Sequence, residues 1–207
     1  MRTPKFIYDE NGEKEITELC AECQYSYVED IWYEWMCKKN RCPYDTNKMS
    51  KIAGIYWDDT AAAPGISLSV YFSGCHFHCP GCHNPEAQDF NYGEDFSFEK
   101  LQEIIEKLNK NGVERRLSIL GGEPLCDENL IAVQTLIDWC KAKYPNLIIY
   151  IWTGYTIEEL QERNLDIIKH ILDTIDVLID GRYEEDKRDI TLPLRGSSNQ
   201  RIINLKG

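Results

Sequence analysis

The chain has 207 residues, 43% hydrophobic and 28% charged, with 23 lysines and arginines against 35 aspartates and glutamates for a net charge of −12. That size holds one domain with room for a small appendage, and the composition is that of an ordinary globular protein. So acidic a chain repels phosphate backbones and anionic lipid surfaces, which excludes nucleic acid and membrane as expected partners.

The opening stretch, MRTPKFIYDENGEKE, lacks the apolar core of a signal peptide. No apolar run approaches the roughly 18 residues that span a bilayer. The expected location is therefore cytoplasmic, and nine cysteines in a reducing compartment point to metal ligation rather than disulfides. Residues 1–50 form a cysteine-rich extension with Tyr25, Tyr27, Trp32, Tyr33 and Trp35 but little periodicity. A segment this short buries too little apolar surface to fold without help, and a metal is the usual help. Cys20-x2-Cys23 and Cys37-x4-Cys42 make a four-thiolate pattern close to a zinc ribbon, although the second pair is wider than usual. A structural zinc site is the expectation; a rubredoxin-like iron or an auxiliary iron–sulfur cluster is the alternative.

Residues 51–207 carry a strand–helix rhythm. ISLSVYF (66–72) is rich in β-branched and aromatic residues and predicts a strand running into a cysteine loop. Leu101, Ile104, Ile105 and Leu108 fall on one helical face, with Ser97 as cap and Gly112 at the end. RLSIL (116–120) predicts a buried strand that ends in GGEP, followed by a helix from about Asp127 to Lys143 that Pro145 stops. LIIYIW (147–152) is the next strand. Thr156 and Glu159 have the spacing of a capping box. A helix near Asp166–Asp173, a strand at DVLID (176–180) and a last strand at RIINL (201–205) complete the pattern. Such alternation implies an α/β fold of parallel strands with right-handed crossovers. A core of this length is too small for an eight-fold barrel of about 250 residues, so the expected architecture is an incomplete, partial β/α barrel. The cysteine loop, GGEP, TGY and DGRY all follow strands and should gather at one rim, where such folds bind ligands.

The segment GCHFHCPGCHNPE (74–86) holds Cys75, Cys79 and Cys82 in Cys-x3-Cys-x2-Cys spacing, with His76, His78 and His83 among them. Three thiolates can hold a cubane iron–sulfur cluster that normally takes four, leaving one iron open. A zinc ion with one of the histidines as fourth ligand, or plain buried or redox-active thiols, are the alternatives. Cys126, two residues past Pro124, reads as a small buried side chain rather than a reactive thiol, and Cys140 as core.

This cysteine loop, followed later in the chain by Gly-Gly-Glu-Pro, resembles the radical S-adenosylmethionine superfamily. Within it, APGISLSVYFSGCHFHCPGCHNPE, SILGGEPL, YIWTGYTIEEL, DVLIDGRY and RGSSNQR are similar to the activases that generate a glycyl radical on anaerobic ribonucleotide reductase. The likeness covers roughly residues 51–207. It implies that Cys75, Cys79 and Cys82 ligate a 4Fe–4S cluster whose open iron chelates S-adenosylmethionine. Gly121, Gly122, Glu123 and Pro124 match the loop that receives the methionine amino group, with Glu123 accepting from the ammonium. Absent side chains at the glycines would let backbone approach the ligand closely. Asp180 and Arg182 match an acid–base pair that holds the cofactor's ribose or carboxylate, a surface ion pair being the alternative. Thr153, Gly154 and Tyr155 line the cofactor or simply turn into the Thr156 cap. RGSSNQR (195–201) matches the activases' carboxyl-terminal signature. Gly81 stands where many superfamily members carry an aromatic residue near the adenine, so that contact falls to the backbone around Phe77–Pro80.

The resemblance further implies that a flavodoxin-like donor reduces the cluster. S-adenosylmethionine then splits into methionine and a 5′-deoxyadenosyl radical, which takes a hydrogen from a glycine of the reductase's catalytic subunit. No side-chain acid or base is needed for that transfer, and none is assigned. A radical enzyme that activates another glycyl radical enzyme or acts on a small molecule is the nearer rival. The rival of another class is a non-enzymatic iron–sulfur electron carrier, which has no use for an open iron or a GGEP loop.

Overall fold

The computed structural model describes residues 50–206 and, before them, two short strands, β1 (Ile7–Tyr8) and β2 (Lys14–Glu15), which pair antiparallel. Packing divides the chain into two compact units, Met1–Lys48 and Met49–Gly207. The expected zinc ligands Cys20, Cys23, Cys37 and Cys42 lie outside the described residues.

The second unit runs β3 (Lys51–Asp59), β4 (Ser67–Phe72), β5 (Glu94–Asp95), α1 (Phe98–Leu108), β6 (Arg116–Gly121), α2 (Leu130–Lys143), β7 (Ile149–Trp152), α3 (Ile157–Glu162), α4 (Asp166–Thr174), β8 (Val177–Asp180) and β9 (Arg201–Asn204). One seven-stranded sheet has the order β5-β3-β4-β6-β7-β8-β9. Its centre, β4-β6-β7-β8, is parallel and follows chain order. Successive right-handed crossovers in one direction place the helices on one face. There Leu68, Val70, Phe72, Leu117, Ile119, Ile149 and Ile151 pack with Leu101, Ile104 and Leu108 of α1, Val133, Leu136, Ile137 and Cys140 of α2, and Ile168 and Ile171 of α4. The other face presents Ser67, Ser69 and Ser118, all fully buried, and a second apolar cluster of Ala63, Tyr150, Val177 and Ile179. Ser69 Oγ donates to Asp59 (2.6 Å) and Ser118 Oγ to the Ala62 carbonyl (3.1 Å), so the segment that joins β3 to β4 seals part of that face.

The parallel expectation fails at both edges. β3 is antiparallel to β4, β5 to β3, and β9 to β8. The connection between β3 and β4 is too short for a crossover, and that between β8 and β9 contains only a short 3₁₀ turn, Glu185–Lys187, with no α-helix to carry the chain back across the sheet. β5 and β9 form the two edges and do not pair with each other, so the sheet is open.

The helix starts follow their caps. Ser97 Oγ accepts from Lys100 N (3.3 Å) at α1. At α3 both halves of the capping box form: Glu159 N donates to Thr156 Oγ1 (3.2 Å) and Thr156 N to Glu159 Oε2 (2.8 Å). α2 begins at Leu130 rather than near Asp127, because Asn129 turns its side chain inward to other loops instead of capping its own helix. Among the described residues no helix is long and apolar enough to cross a membrane.

β9 is tied down electrostatically. Asp180, at the end of β8, is fully buried. It accepts Arg201 Nε (2.9 Å) and Nη2 as well as Ile157 N (2.8 Å), and Arg201 reaches on to Glu158 at 2.6 Å. A buried carboxylate stripped of its cation is costly. The Arg201 side chain is itself 45% exposed, so Arg201→Met is expected to lower the unfolding free energy by about 1–3 kcal/mol, read as an earlier midpoint in urea denaturation. Unchanged stability would show that Ile157 N alone suffices for Asp180.

Candidate functional site

The four loops that follow β4, β6, β7 and β8 meet. At the end of β4 and β6 the contact is backbone to backbone: Gly122 N donates to Phe72 O (2.7 Å) and Glu123 N to Gly74 O (2.7 Å), while Gly74 N donates to Ala87 O (2.8 Å). The two glycines of GGEP are required by this approach. Gly121 has φ +118°, and a Cβ there would strike the Phe72 backbone; a Cβ on Gly122 would stand 2.5 Å from both Gly74 O and Ala87 O. Their missing side chains thus admit neighbouring protein backbone, a reason that the sequence reading assigned to ligand approach.

Glu123 joins the second and third loops. It is 1% exposed. Oε1 accepts from Leu125 N (2.8 Å) and Thr153 Oγ1 (2.7 Å), and Oε2 from Gly154 N (2.7 Å). Burial raises its carboxyl to about 7, with the three donors and Arg163 pulling the other way. Thr153 is buried, its hydroxyl donating to Glu123 and accepting from Tyr155 N (3.1 Å). Pro124 is buried behind Glu123. Asn129, also buried, donates from Nδ2 to Ser73 O (2.9 Å) and Glu123 O (3.0 Å), bracing the root of the cysteine loop against GGEP.

Cys75, Cys79 and Cys82 are free and half-buried, whereas Cys126 and Cys140 are free and fully buried. The thiol of Cys75 is pushed up by burial, with the Phe77 and His78 backbone N–H groups pulling the other way. Cys79 is also raised by burial, opposed by the Tyr183 amide. Amides near half-buried sulfurs suit thiolates, and a multi-iron centre supplies the positive charge those thiolates need. The donor set therefore fits an iron–sulfur cluster. The histidines are engaged elsewhere: His76 with Glu128 (3.0 Å), His78 with Gln88 (2.9 Å), and His83 edge-on to the Tyr183 ring. Cys126 and Cys140 are driven strongly upward by burial and stay protonated.

Asp180 and Arg182, expected to hold the cofactor's ribose or carboxylate or else to form a surface ion pair, do not bond to each other. Asp180 is committed to Arg201 and Ile157 N, while Arg182 pairs with Glu159 (3.0 Å) and lies over the Phe77 ring at 4.3 Å. RGSSNQR is a scaffold for the loop that carries Arg182 and Tyr183. Gln200 Oε1 accepts from Gly196 N (2.9 Å), Gln200 Nε2 donates to Gly181 O (3.1 Å), Asn199 Nδ2 to Arg182 O (2.7 Å), and Glu184 N to Ser197 Oγ (3.2 Å). Asn129 and Arg163, which donates to the Leu125 carbonyl, carry no signal in the sequence, and Gln200 stands out only as part of RGSSNQR. Each acts on residues remote in the chain, and no local spacing signals such a role.

Residues 61–203 match the family model described as a 4Fe-4S single cluster domain. The chain is 35% identical over 149 residues to a protein of Salmonella typhimurium named anaerobic ribonucleoside-triphosphate reductase-activating protein, covering 72% of this chain and 94% of that one. Proteins of the same name from Escherichia coli and Enterobacteria phage T4 are 34% and 33% identical, with 72% of this chain covered in each case and 94% and 90% of theirs. The chain belongs to the family of anaerobic ribonucleoside-triphosphate reductase-activating proteins and carries its 4Fe-4S single cluster domain.

Proposed function

We propose that this chain activates an anaerobic ribonucleoside-triphosphate reductase by cleaving S-adenosylmethionine reductively and installing a glycyl radical on the reductase's catalytic subunit. The observation that carries this reading is a half-buried three-thiol loop joined to a GGEP loop by the Glu123 N–Gly74 O hydrogen bond, in a chain of this family. Cys75, Cys79 and Cys82 would hold the cluster, which when bound supplies a low-potential electron and one iron free to chelate the cofactor.

The chain's own residues position and shelter. Gly121 and Gly122 bring the GGEP backbone against the cysteine loop, and Pro124 and Thr153 close off water behind it. Glu123 Oε2 has a single protein donor, which leaves acceptor capacity for the methionine ammonium and a cation for a carboxylate that burial disfavours. Arg182 serves the site through Phe77, and Asp180 by fixing β9 to the start of α3. The open sheet with its strand-end loops is read as an incomplete barrel whose gap admits a glycine loop of a macromolecular partner. A flavodoxin-like donor in the cytoplasm supplies the electron. The four amino-terminal cysteines are read as a structural zinc site.

Three measurements follow from this reading. The first is anaerobic: the full chain is reconstituted with iron and sulfide, reduced, and examined by electron paramagnetic resonance with and without S-adenosylmethionine. A signal that changes on addition, with 5′-deoxyadenosine released and a glycyl radical appearing on added reductase, is the expected result. Any of Cys75→Ala, Cys79→Ala or Cys82→Ala should abolish it. A cluster signal indifferent to the cofactor would make the protein an electron carrier instead.

The second concerns Glu123. Its folded-state carboxyl titrates near 7 and its unfolded one near 4.5, so the folded chain binds the extra proton and stability falls as pH rises from about 4.5 to about 7. Across that window the cofactor-free protein should lose on the order of 3 kcal/mol through this group. Glu123→Gln should flatten the slope, while losing a bond because the amide nitrogen faces the Gly154 N–H. An unaltered slope in that variant would assign the pH dependence elsewhere.

The third removes metal. A zinc chelator is expected to open residues 1–50 to protease while residues 51–207 keep their resistance. Identical cleavage with and without chelator would argue against zinc there.

A further inference from the structure

The mechanism leaves one aromatic side chain of the cysteine loop unexplained. Phe77 lies between Cys75 and Cys79, and its backbone N–H is near enough to the Cys75 thiol to oppose the upward push of burial. Its ring is half-buried and meets both the TGY turn and the DGRY loop. A Cβ on Gly154 would stand 2.5 Å from the ring, so the ring rests directly on the backbone of the TGY turn. The Tyr155 ring meets it edge-on with centroids 4.7 Å apart. The Arg182 guanidinium covers it at 4.3 Å and is itself held by Glu159, the third helical residue of α3 and partner of Thr156 in its capping box. Next to Arg182, the Tyr183 backbone N–H opposes the upward push of burial on the Cys79 thiol. Edge-on aromatic packing and a guanidinium over a ring face are both directional contacts that fix a ring's orientation as well as burying it.

We infer that Phe77 is a positioning residue: it pins the cysteine loop to the TGY and DGRY turns and thereby sets where the Cys75 and Cys79 sulfurs stand. Gly154 is glycine because the ring occupies the space of its side chain. Arg182 acts on the site through the Phe77 face rather than by touching a ligand. The inference rests on the reading of Cys75, Cys79 and Cys82 as cluster ligands, but its test does not depend on a cluster being present.

The test measures anaerobic alkylation of each cysteine by iodoacetamide, followed by mass spectrometry, in the full chain without added iron. Cys126 and Cys140, fully buried, report whether the fold is intact. In Phe77→Ala the Cys75 and Cys79 rates should rise about tenfold, equivalent to roughly 1.4 kcal/mol of lost packing, with Cys126 and Cys140 still protected. Phe77→Tyr keeps the ring and should hold rates near wild type, whereas Phe77→Leu should fall between. Gly154→Ala should raise the same two rates by displacing the ring. It should add nothing in the Phe77→Ala background, where its methyl meets no ring. Should Phe77→Ala expose Cys126 and Cys140 as well, the milder Gly154→Ala and Phe77→Leu variants decide the question. Loop-thiol rates within about twofold of wild type in every variant, or Gly154→Ala and Phe77→Ala effects that multiply, would overturn the inference.

After reconstitution, Phe77→Ala is expected to lose iron faster to a ferrous chelator and to show a weaker spectral response to S-adenosylmethionine. If the wild-type cluster ignores S-adenosylmethionine, the functional reading falls while the alkylation rates still decide the role of Phe77.

Discussion

Glu123 is a carboxylate almost sealed from water, and its hydrogen bonds to Leu125 N, Thr153 Oγ1 and Gly154 N determine how the loops after β6 and β7 stand to one another. Its amide, bonded to Gly74 O, brings in the cysteine loop from the other side. One residue thus links three strand ends, with its side chain facing one neighbour and its main chain the other. The arrangement is held under electrostatic tension. Desolvation lifts the carboxyl to about 7 despite three donors, so a positive ligand placed nearby would relieve a cost the folded chain already bears.

Around this centre the chain divides its work between residues that face the cysteine loop and residues that hold those residues. Asn129 braces Ser73 and Glu123 from beneath. Arg163 holds the Leu125 carbonyl. The RGSSNQ segment folds on itself through Gln200 and grips the DGRY loop through Gly181 and Arg182. These polar networks are buried or half-buried and orient the loops, with Arg195 Nε and Asn199 Oδ1 left buried and without a hydrogen-bond partner among the described residues. In RGSSNQR, Gln200 and Asn199 Nδ2 bond backbone, whereas Arg201 reaches the carboxylates of Asp180 and Glu158.

The sheet explains why loops so distant in sequence can share one rim. Chain order and spatial order coincide for β4, β6, β7 and β8, so every crossover passes over the same face and every strand ends on the same side. The helix-free face stays partly polar, with Ser67, Ser69 and Ser118 along it. The antiparallel edges limit how far the sheet extends, because β3 and β9 arrive by connections that lack a crossover helix.

Much of this was legible in the sequence, for physical reasons that are local. Strand and helix periods, the Ser97 and Thr156 caps, and the succession of a three-cysteine loop and a GGEP turn all depend on residues within a few positions of one another. Side-chain alternation and capping are short-range effects, and cluster ligation within one loop is too. The pairing sense of β3 and β9 was not legible, since it depends on which edge a strand reaches once the sheet exists. Nor were the partners of long side chains. Asp180 and Arg182 stand two positions apart and suggested a pair, yet β9 delivers Arg201 to Asp180, and α3 offers Glu159 to Arg182. Phe77, Gly154 and Asn129 gain their meaning only when separate strand ends are brought within van der Waals or hydrogen-bond distance. The sequence by itself determined the chemistry this protein can hold; tertiary structure decided which residues hold it in place, because those choices are made between chain segments that meet only in the folded state.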